Sequence, residues 1–234
     1  MDVEIWSDVV CPWCYIGKRR FEAALAQFAH RDAVEVIWRS FELDPHAPRR
    51  LPGTLNDLLA RKMRATPAQA AAASQRLTAL AAEDGLDFRL DQAQSGNTFD
   101  AHRLIHLAAE RGLQDAVKER LLRAYFTDGL PIGDADTLIE IVSSVGIAAD
   151  EARAVLASDA YAADVRADEQ RATTFGITGV PFVVVDEQYG VSGAQPAEVF
   201  LEVLRQAWAA AQPLTTVGAA GAGADACDGD SCAM

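Results

Sequence analysis

The stretch Val3-Glu4-Ile5-Trp6-Ser7-Asp8-Val9-Val10-Cys11-Pro12-Trp13-Cys14 decides how the chain is read. Val3 to Ser7 alternates in the manner of a strand. Asp8-Val9-Val10 then leads to two thiols. Pro12 suits the first position of a helix, where a missing N–H costs nothing. Beyond it, Ile16, Phe21, Ala24, Leu25 and Phe28 recur at helical spacing. The predicted unit is a strand, a tight turn and a helix N-terminus, with Cys11 and Cys14 at the joint.

Outward from this unit, residues 33–43 read as a second strand rich in β-formers. Asp44-Pro45 ends it, and Pro48, Pro52 and Gly53 mark a loop. A right-handed β-α-β crossover would set the two strands parallel. From Thr54 to about Phe175 helix signals take over. Leu55 to Met63 is one candidate. Thr66 as cap and Pro67 in the first turn open another, running to about Asp84 ahead of Gly85. Asn97-Thr98 caps a third, from Phe99 to Arg111, and Leu113–Phe126, Asp136–Val145, Asp150–Leu156 and Tyr161–Phe175 follow. Strand signal returns at Val180 to Asp186 and at Tyr189 to Gly193, a hairpin whose Glu187-Gln188 turn lacks the favoured Asn-Gly chemistry. Pro196 opens a last amphipathic helix, Ala197 to Ala210. The Gly/Ala-rich stretch after it is expected to be flexible and ends in Cys227-Asp228-Gly229-Asp230-Ser231-Cys232. The order predicts an α/β fold: residues 1–53 and 176–211 form one domain, 54–175 an inserted all-helical domain, and 212–234 a tail.

The 234 residues allow a sizeable core, and a net charge of −13 opposes binding to nucleic acid or to an anionic membrane surface. Met1-Asp2-Val3-Glu4 is acidic and no apolar stretch of signal-peptide length follows, so the expected location is the cytoplasm. Thiols are kept reduced there. A C-x-x-C pair in that setting points to redox or metal chemistry rather than to a structural staple.

Disulfide exchange needs a thiolate. Cys11 would precede the first helical turn, where unpaired N–H groups and the helix dipole stabilise negative charge. Such placement brings a cysteine pKa from about 8.5 into the range of roughly 3.5–7.5. Cys11 is therefore the candidate attacking sulfur, expected to be exposed, and Cys14, one turn along the same face, the candidate resolving sulfur. Pro12 and Trp13 are candidate substrate contacts. Trp13 has no titrating group to tune Cys11 and offers an apolar surface instead. Two other readings of the pair stay open: two small buried hydrophobes, or half of a zinc site completed by the tail thiols. His102 and His106 stand one turn apart without a third metal ligand and are read as surface positions. Asp8 is read as shaping the turn, although a carboxylate near Cys11 would raise the thiol's pKa. Arg49-Arg50 and Arg61-Lys62-Arg64 read as solvated faces.

Cys227 and Cys232 enclose four residues, a ring too small to constrain a flexible tail much. They are either incidental or a second redox pair. Asp225, Asp228 and Asp230 should raise their pKa values. The lower-pKa thiol leaves faster, so the tail would reduce a Cys11–Cys14 disulfide and end up oxidised.

Ser7 to Cys14, Phe41-Glu42-Leu43-Asp44-Pro45, Asn97 to Leu104 and Gly176-Ile177-Thr178-Gly179-Val180-Pro181 together resemble the FrnE-type members of the DsbA family. The resemblance spans about residues 2–210. It implies a thioredoxin-like fold with a helical insertion and a cytosolic thiol–disulfide oxidoreductase. It also implies protein thiols, protein disulfides or glutathione as partners, and no bound cofactor or metal. Pro181 would lie in cis beside the thiols, with the backbone of Val180 pairing with bound peptide. A bare X-Pro bond would be cis in only about one case in twenty, and the first residue of a strand suits proline in any event. Some FrnE-type proteins carry a tail pair like Cys227 and Cys232. The same fold serves 2-hydroxychromene-2-carboxylate isomerases and kappa-class glutathione transferases, which typically have serine where this chain has cysteine. A glutathione-dependent isomerase or transferase acting on a small aromatic or polyketide-like compound is thus the alternative. A metal-binding or thiol-buffering protein is a third. Oligomeric state is not legible.

Overall fold

A computed structural model describes residues 1–53 and 55–211. Thr54 and the tail carrying Cys227 and Cys232 lie outside the described residues. β1 (Asp2–Ser7) sits inside a four-stranded sheet ordered β2-β1-β3-β4. It pairs in parallel with β2 (Glu35–Ser40), Ile5 lying opposite Trp38. The crossover through α1 (Pro12–Gln27) therefore gives the parallel pairing expected. β3 (Phe182–Val185) runs antiparallel along the other side of β1, and β4 (Tyr189–Ser192) completes a hairpin.

Between β2 and β3 the described chain is helical: α2 (Leu55–Met63), α3 (Pro67–Glu83), α4 (Phe99–Glu110), α5 (Gln114–Phe126), α6 (Ala135–Ser143), α7 (Ala149–Leu156) and α8 (Ala162–Thr174). Thr66 caps α3 in a capping box with Gln69. Thr98 is the N-cap of α4, but the bond to the Phe99 N–H comes from Asn97 Oδ1, at 2.9 Å. α9 (Ala197–Ala211) packs on α1, Phe21 meeting Phe200 edge-on at 5.8 Å. α5 and α8 pack against β2.

β1 is buried on both faces, as a central strand with helices around it should be. Glu4 is buried within it and accepts from Arg39 of β2 at 2.7 Å and from Arg171 of α8 at 3.0 Å. These bonds outweigh the burial that opposes its charge and hold its carboxyl below the usual range. They also tie both neighbouring elements to the strand that carries the thiols.

Two boundaries differ from expectation. The second strand ends at Ser40 rather than at Leu43. The Ser40 N–H donates to Asp168 at 2.8 Å and the Leu43 N–H to Asp8 at 2.8 Å, so carboxylates replace the ladder there. In the hairpin, Val185 pairs with Tyr189, leaving three residues between the strands rather than two. Asp186 and Glu187 are left-handed, with φ of 46° and 56°. Asp186 is suited to this, since aspartate tolerates that region and bonds backbone locally. Its carboxylate accepts from Asp2 N at 2.7 Å, and its own N–H donates to Asp2 O at 2.9 Å. No helix among the described residues is long and apolar enough to cross a membrane.

Candidate active site

Cys11 is the N-cap residue of α1 and extended, at φ −89° and ψ 113°. Pro12 occupies the first turn, and the Cys14 N–H donates back to the Cys11 carbonyl at 3.0 Å. Strand β1 delivers the chain to this point and the unbonded N–H groups of the first turn lie beyond it. Both cysteines are free thiols in the structure. Cys11 is not the exposed sulfur expected from sequence: it is 4% exposed and Cys14 1%, because the chain at Val180-Pro181 covers it, whereas Trp13 between them is 45% exposed.

The chain returns to the thiols at Val180-Pro181, whose peptide bond is cis. The Cys11 thiol donates to the Val180 carbonyl at 3.6 Å. Gly17 of α1 permits this approach. A Cβ at Gly17 would lie 3.0 Å from Pro181 Cγ and 3.5 Å from the Cβ of Ala194. Glycine in a helix interior costs about 1 kcal/mol relative to alanine. The side chain it lacks is what would strike Pro181.

The two sulfurs titrate in opposite directions. A hydrogen bond from the Cys14 side chain does most to pull Cys11 below the ordinary thiol range. The N–H groups of Cys14 and Trp13 add to it, while burial and the charge of Asp8 push the other way. Cys14 is driven well above that range, first by burial and then by donating to Cys11. One sulfur is thus poised to ionise and the other to keep its proton.

Beneath the pair lies a buried polar cluster that sequence reading reached only in part. Asp8 is fully buried. Its Oδ2 accepts from Leu43 N, and its Oδ1 lies 3.4 Å from His102 Nε2. Burial raises the Asp8 carboxyl, but His102, the Leu43 N–H and Lys118 outweigh it and hold the group below the usual range. His102 is therefore buried rather than a surface residue. His106 is mostly covered too, with Nε2 3.1 Å from Asp168 Oδ2 and 3.1 Å from Ser40 Oγ. The two histidines serve different carboxylates. Among the described residues no three His, Cys, Asp or Glu side chains gather as a metal site would need. The zinc arrangement weighed from sequence relies on Cys227 and Cys232, outside the described residues.

Lys118 of α5 was not singled out by sequence. It is 1% exposed and donates to the Ser7 carbonyl at 3.2 Å. Burial pushes its amine down to about 8, against the pull of Cys14, Asp8 and Cys11. Its Nζ also sits 5.6 Å from the centre of the Trp38 ring. The available signal was its spacing: Lys118 follows Val117 and precedes Leu121 and Leu122 on the buried side of α5.

Residues 2–205 match the model of the DSBA-like thioredoxin domain. A solved structure of a probable DsbA oxidoreductase from Streptomyces coelicolor is 49% identical, with TM-score 0.87 over 97% of this chain and 98% of its own. An uncharacterized protein of Bacillus subtilis, YwbO, is 28% identical over 200 residues, 85% of this chain and 92% of its own length. The fold is shared more distantly with the cytosolic disulfide reductase DsbM of Pseudomonas aeruginosa, solved with GSH. That protein is 16% identical, with TM-score 0.62 over 89% of this chain and all of its own. The match runs through the thiol turn, the helices and the closing hairpin alike, and on that ground the chain belongs to the DsbA-like thioredoxin domain family.

Proposed function

We infer that the protein is a thiol–disulfide oxidoreductase in which Cys11 attacks and Cys14 resolves. The observation that carries this reading is the placement of two free thiols one turn apart at one helix N-terminus, with the Cys11 thiol against the Val180 carbonyl; the lowered Cys11 and raised Cys14 agree with it. The Cys11 thiolate attacks a disulfide sulfur of the substrate, and one substrate sulfur leaves as a thiolate. The Cys14 thiol then gives up its proton and attacks Cys11. A Cys11–Cys14 disulfide forms and the second substrate sulfur leaves. The substrate is reduced by two electrons and the enzyme oxidised by two; the reverse sequence oxidises a dithiol. Lys118 favours the Cys14 thiolate by its charge. The buried Ser7 hydroxyl lies close enough to Cys14 for a hydrogen bond that favours the same thiolate.

Pro12, Trp13, Val180 and Pro181 are the proposed substrate contacts, supported by the exposure of Trp13 and the nearness of the Val180 carbonyl to the Cys11 thiol. Protein thiols and disulfides or glutathione are the proposed partners. The cytosolic, FrnE-like assignment belongs to the same proposal, as does exchange with Cys227 and Cys232. Insulin reduction and the oxidation of free cysteine test the reading in wild type and in the Cys227→Ser/Cys232→Ser double variant. Activity in wild type is expected; inactivity in both assays would sink it. Loss in the double variant only of turnover after the first oxidation is the result expected of a tail that resets the site.

Gly17→Ala supplies a separate check. The added methyl group is expected to displace the Pro181 ring and cancel the gain of about 1 kcal/mol that alanine ordinarily brings to a helix. Urea titration should show no stabilisation, and insulin reduction should slow several-fold while exchange with dithiothreitol changes less. A full propensity gain with unchanged insulin reduction would show that Pro181 is not positioned through Gly17.

A further inference from the structure

Two buried lysines lie against the Trp38 ring, and their surroundings differ. Lys18 Nζ is 5.7 Å from the ring centre and Lys118 Nζ 5.6 Å. Lys18 of α1 pairs with Glu22, and with Asp115 and Glu119 at 3.2 Å each. Burial opposes its charge, but these carboxylates outweigh burial and raise its amine above the usual range. Lys118 of α5 has no carboxylate at ion-pair distance among the described residues. Its partners are the Ser7 carbonyl, at 3.2 Å, and the ring. A buried ammonium with neutral partners alone is costly, so this amine sheds its proton readily.

Cys14 needs a group of that kind. It is buried and keeps its proton well above the ordinary thiol range, yet it must become a thiolate to attack. Ser7 stands between the two: its carbonyl accepts from Lys118, and its hydroxyl lies in hydrogen-bonding reach of Cys14. Beyond burial, the groups that act on the Lys118 amine are Cys14, Asp8, Cys11 and, in the opposite sense, Lys18. Asp8 is already engaged by the Leu43 N–H and by His102, and its carboxyl, held below the usual range, is a poor base. Cys11 is the sulfur under attack. Lys118 is the base that remains.

We propose that Lys118 takes the Cys14 proton when the mixed disulfide is resolved, so that a helix inserted between β2 and β3 supplies the base for thiols carried by β1 and α1. The assignment rests on the dithiol reading above. The neutral amine accepts the Cys14 proton and becomes an ammonium. The Cys14 thiolate forms a bond to Cys11 Sγ, the bond between Cys11 and the substrate sulfur breaks, and that sulfur leaves with the electron pair.

Cys11 sets the timing. In the mixed disulfide it carries no charge, which removes one of the pulls that keep a proton on Lys118. The amine is therefore neutral more of the time at the stage where Cys14 must be deprotonated. Once the Cys11–Cys14 disulfide has formed, no sulfur charge faces the ammonium, and burial drives its proton out to water.

The test uses the full chain carrying Cys227→Ser and Cys232→Ser, so that Cys11 and Cys14 are its thiols. Mixed with one equivalent of 5,5′-dithiobis(2-nitrobenzoate), the reduced protein releases one coloured thiolate as Cys11 attacks and a second as Cys14 resolves. The rate of the second release is followed from pH 6 to pH 10 in this protein, in Lys118→Met and in Lys118→Arg. Arginine keeps a positive charge and stays protonated throughout. With lysine in place the second release is expected to rise to a plateau near or below pH 8, the value of about 8 being where burial pushes the amine. In both variants it is expected to be about tenfold or more slower at pH 7 and to keep rising to pH 10. The first release should differ little among the three. A second release as fast in Lys118→Arg as with lysine, but slow in Lys118→Met, means that charge alone serves Cys14 and overturns the proton transfer. Should a variant not fold, the plateau decides: a second release that keeps rising past pH 9 with lysine in place overturns it too. Release of a single thiolate with lysine in place, and no second at any pH, overturns the dithiol reading itself.

Discussion

Replacing Cys11 with serine is expected to reduce exchange with insulin, free cysteine and dithiothreitol to the background rate of unassisted thiols. The hydroxyl cannot take part in a disulfide, and Cys14, driven well above the ordinary thiol range, is a poor substitute nucleophile near neutral pH. Replacing Cys14 gives a different outcome. Cys11 still attacks, but nothing resolves the mixed disulfide, so a covalent adduct accumulates with one substrate molecule per enzyme. Non-reducing electrophoresis and peptide mapping separate the cases: no adduct for Cys11→Ser, an adduct on Cys11 for Cys14→Ser. An adduct between Cys11 and Cys227 or Cys232 would identify the tail as an exchange partner. Adducts solely to other proteins or small thiols would remove the tail from the reaction. If Cys11→Ser kept its exchange activity, the order of attack would be wrong.

Lys118→Met should slow resolution by roughly tenfold at pH 7, because the cation that favours the Cys14 thiolate is gone. Mixed disulfide should build up in this variant although both cysteines remain. The same residue leaves a mark on stability. Its amine is pushed down to about 8 in the fold, below the ordinary lysine value of about 10.4. Below that window both folded and unfolded chains carry the proton, and the cost of burying the charge is constant. Between the two values the unfolded chain holds a proton that the folded chain has released, so this group's contribution to stability rises with pH. Tyr125, pushed up to about 12 by burial, contributes in the opposite sense at alkaline pH. The difference between wild type and Lys118→Met, measured by urea titration at pH 7.5 and at pH 10, isolates the lysine. Wild type should gain on the variant as pH rises. A constant difference would mean that Lys118 keeps an ordinary amine in the fold.

Much of the site was legible because its chemistry is local. Cys11, Pro12 and Cys14 are adjacent in the chain, and the strand before them and the helix after them are set by residue periodicity and by proline at the first helical position. The helices between the strands were legible for the same reason, down to Thr66 capping α3. The expectations that failed depend on partners distant in the chain. Leu43 was read as strand because its neighbours are β-formers, but its N–H goes to Asp8 instead of to a ladder. His102 was read as a surface residue, and its environment is a carboxylate 94 positions earlier. The hairpin turn was misjudged by one residue because Asp186 reaches back to Asp2.

By itself the sequence determined the α/β order of elements and the location of the two thiols at a helix N-terminus, which follow from local pattern and covalent spacing, whereas the place of Pro181 beside the thiols came from the resemblance to the DsbA family. The tertiary structure decided what surrounds the sulfurs: the Val180 carbonyl at the Cys11 thiol and the buried Lys118, Asp8 and His102. Those are long-range contacts: Lys118 of α5 reaches Ser7, His102 of α4 faces Asp8, and Val180 comes back to Cys11 from 169 positions on. A thiol's readiness to ionise depends on charges and burial within a few ångströms in space, which distance along the chain does not encode.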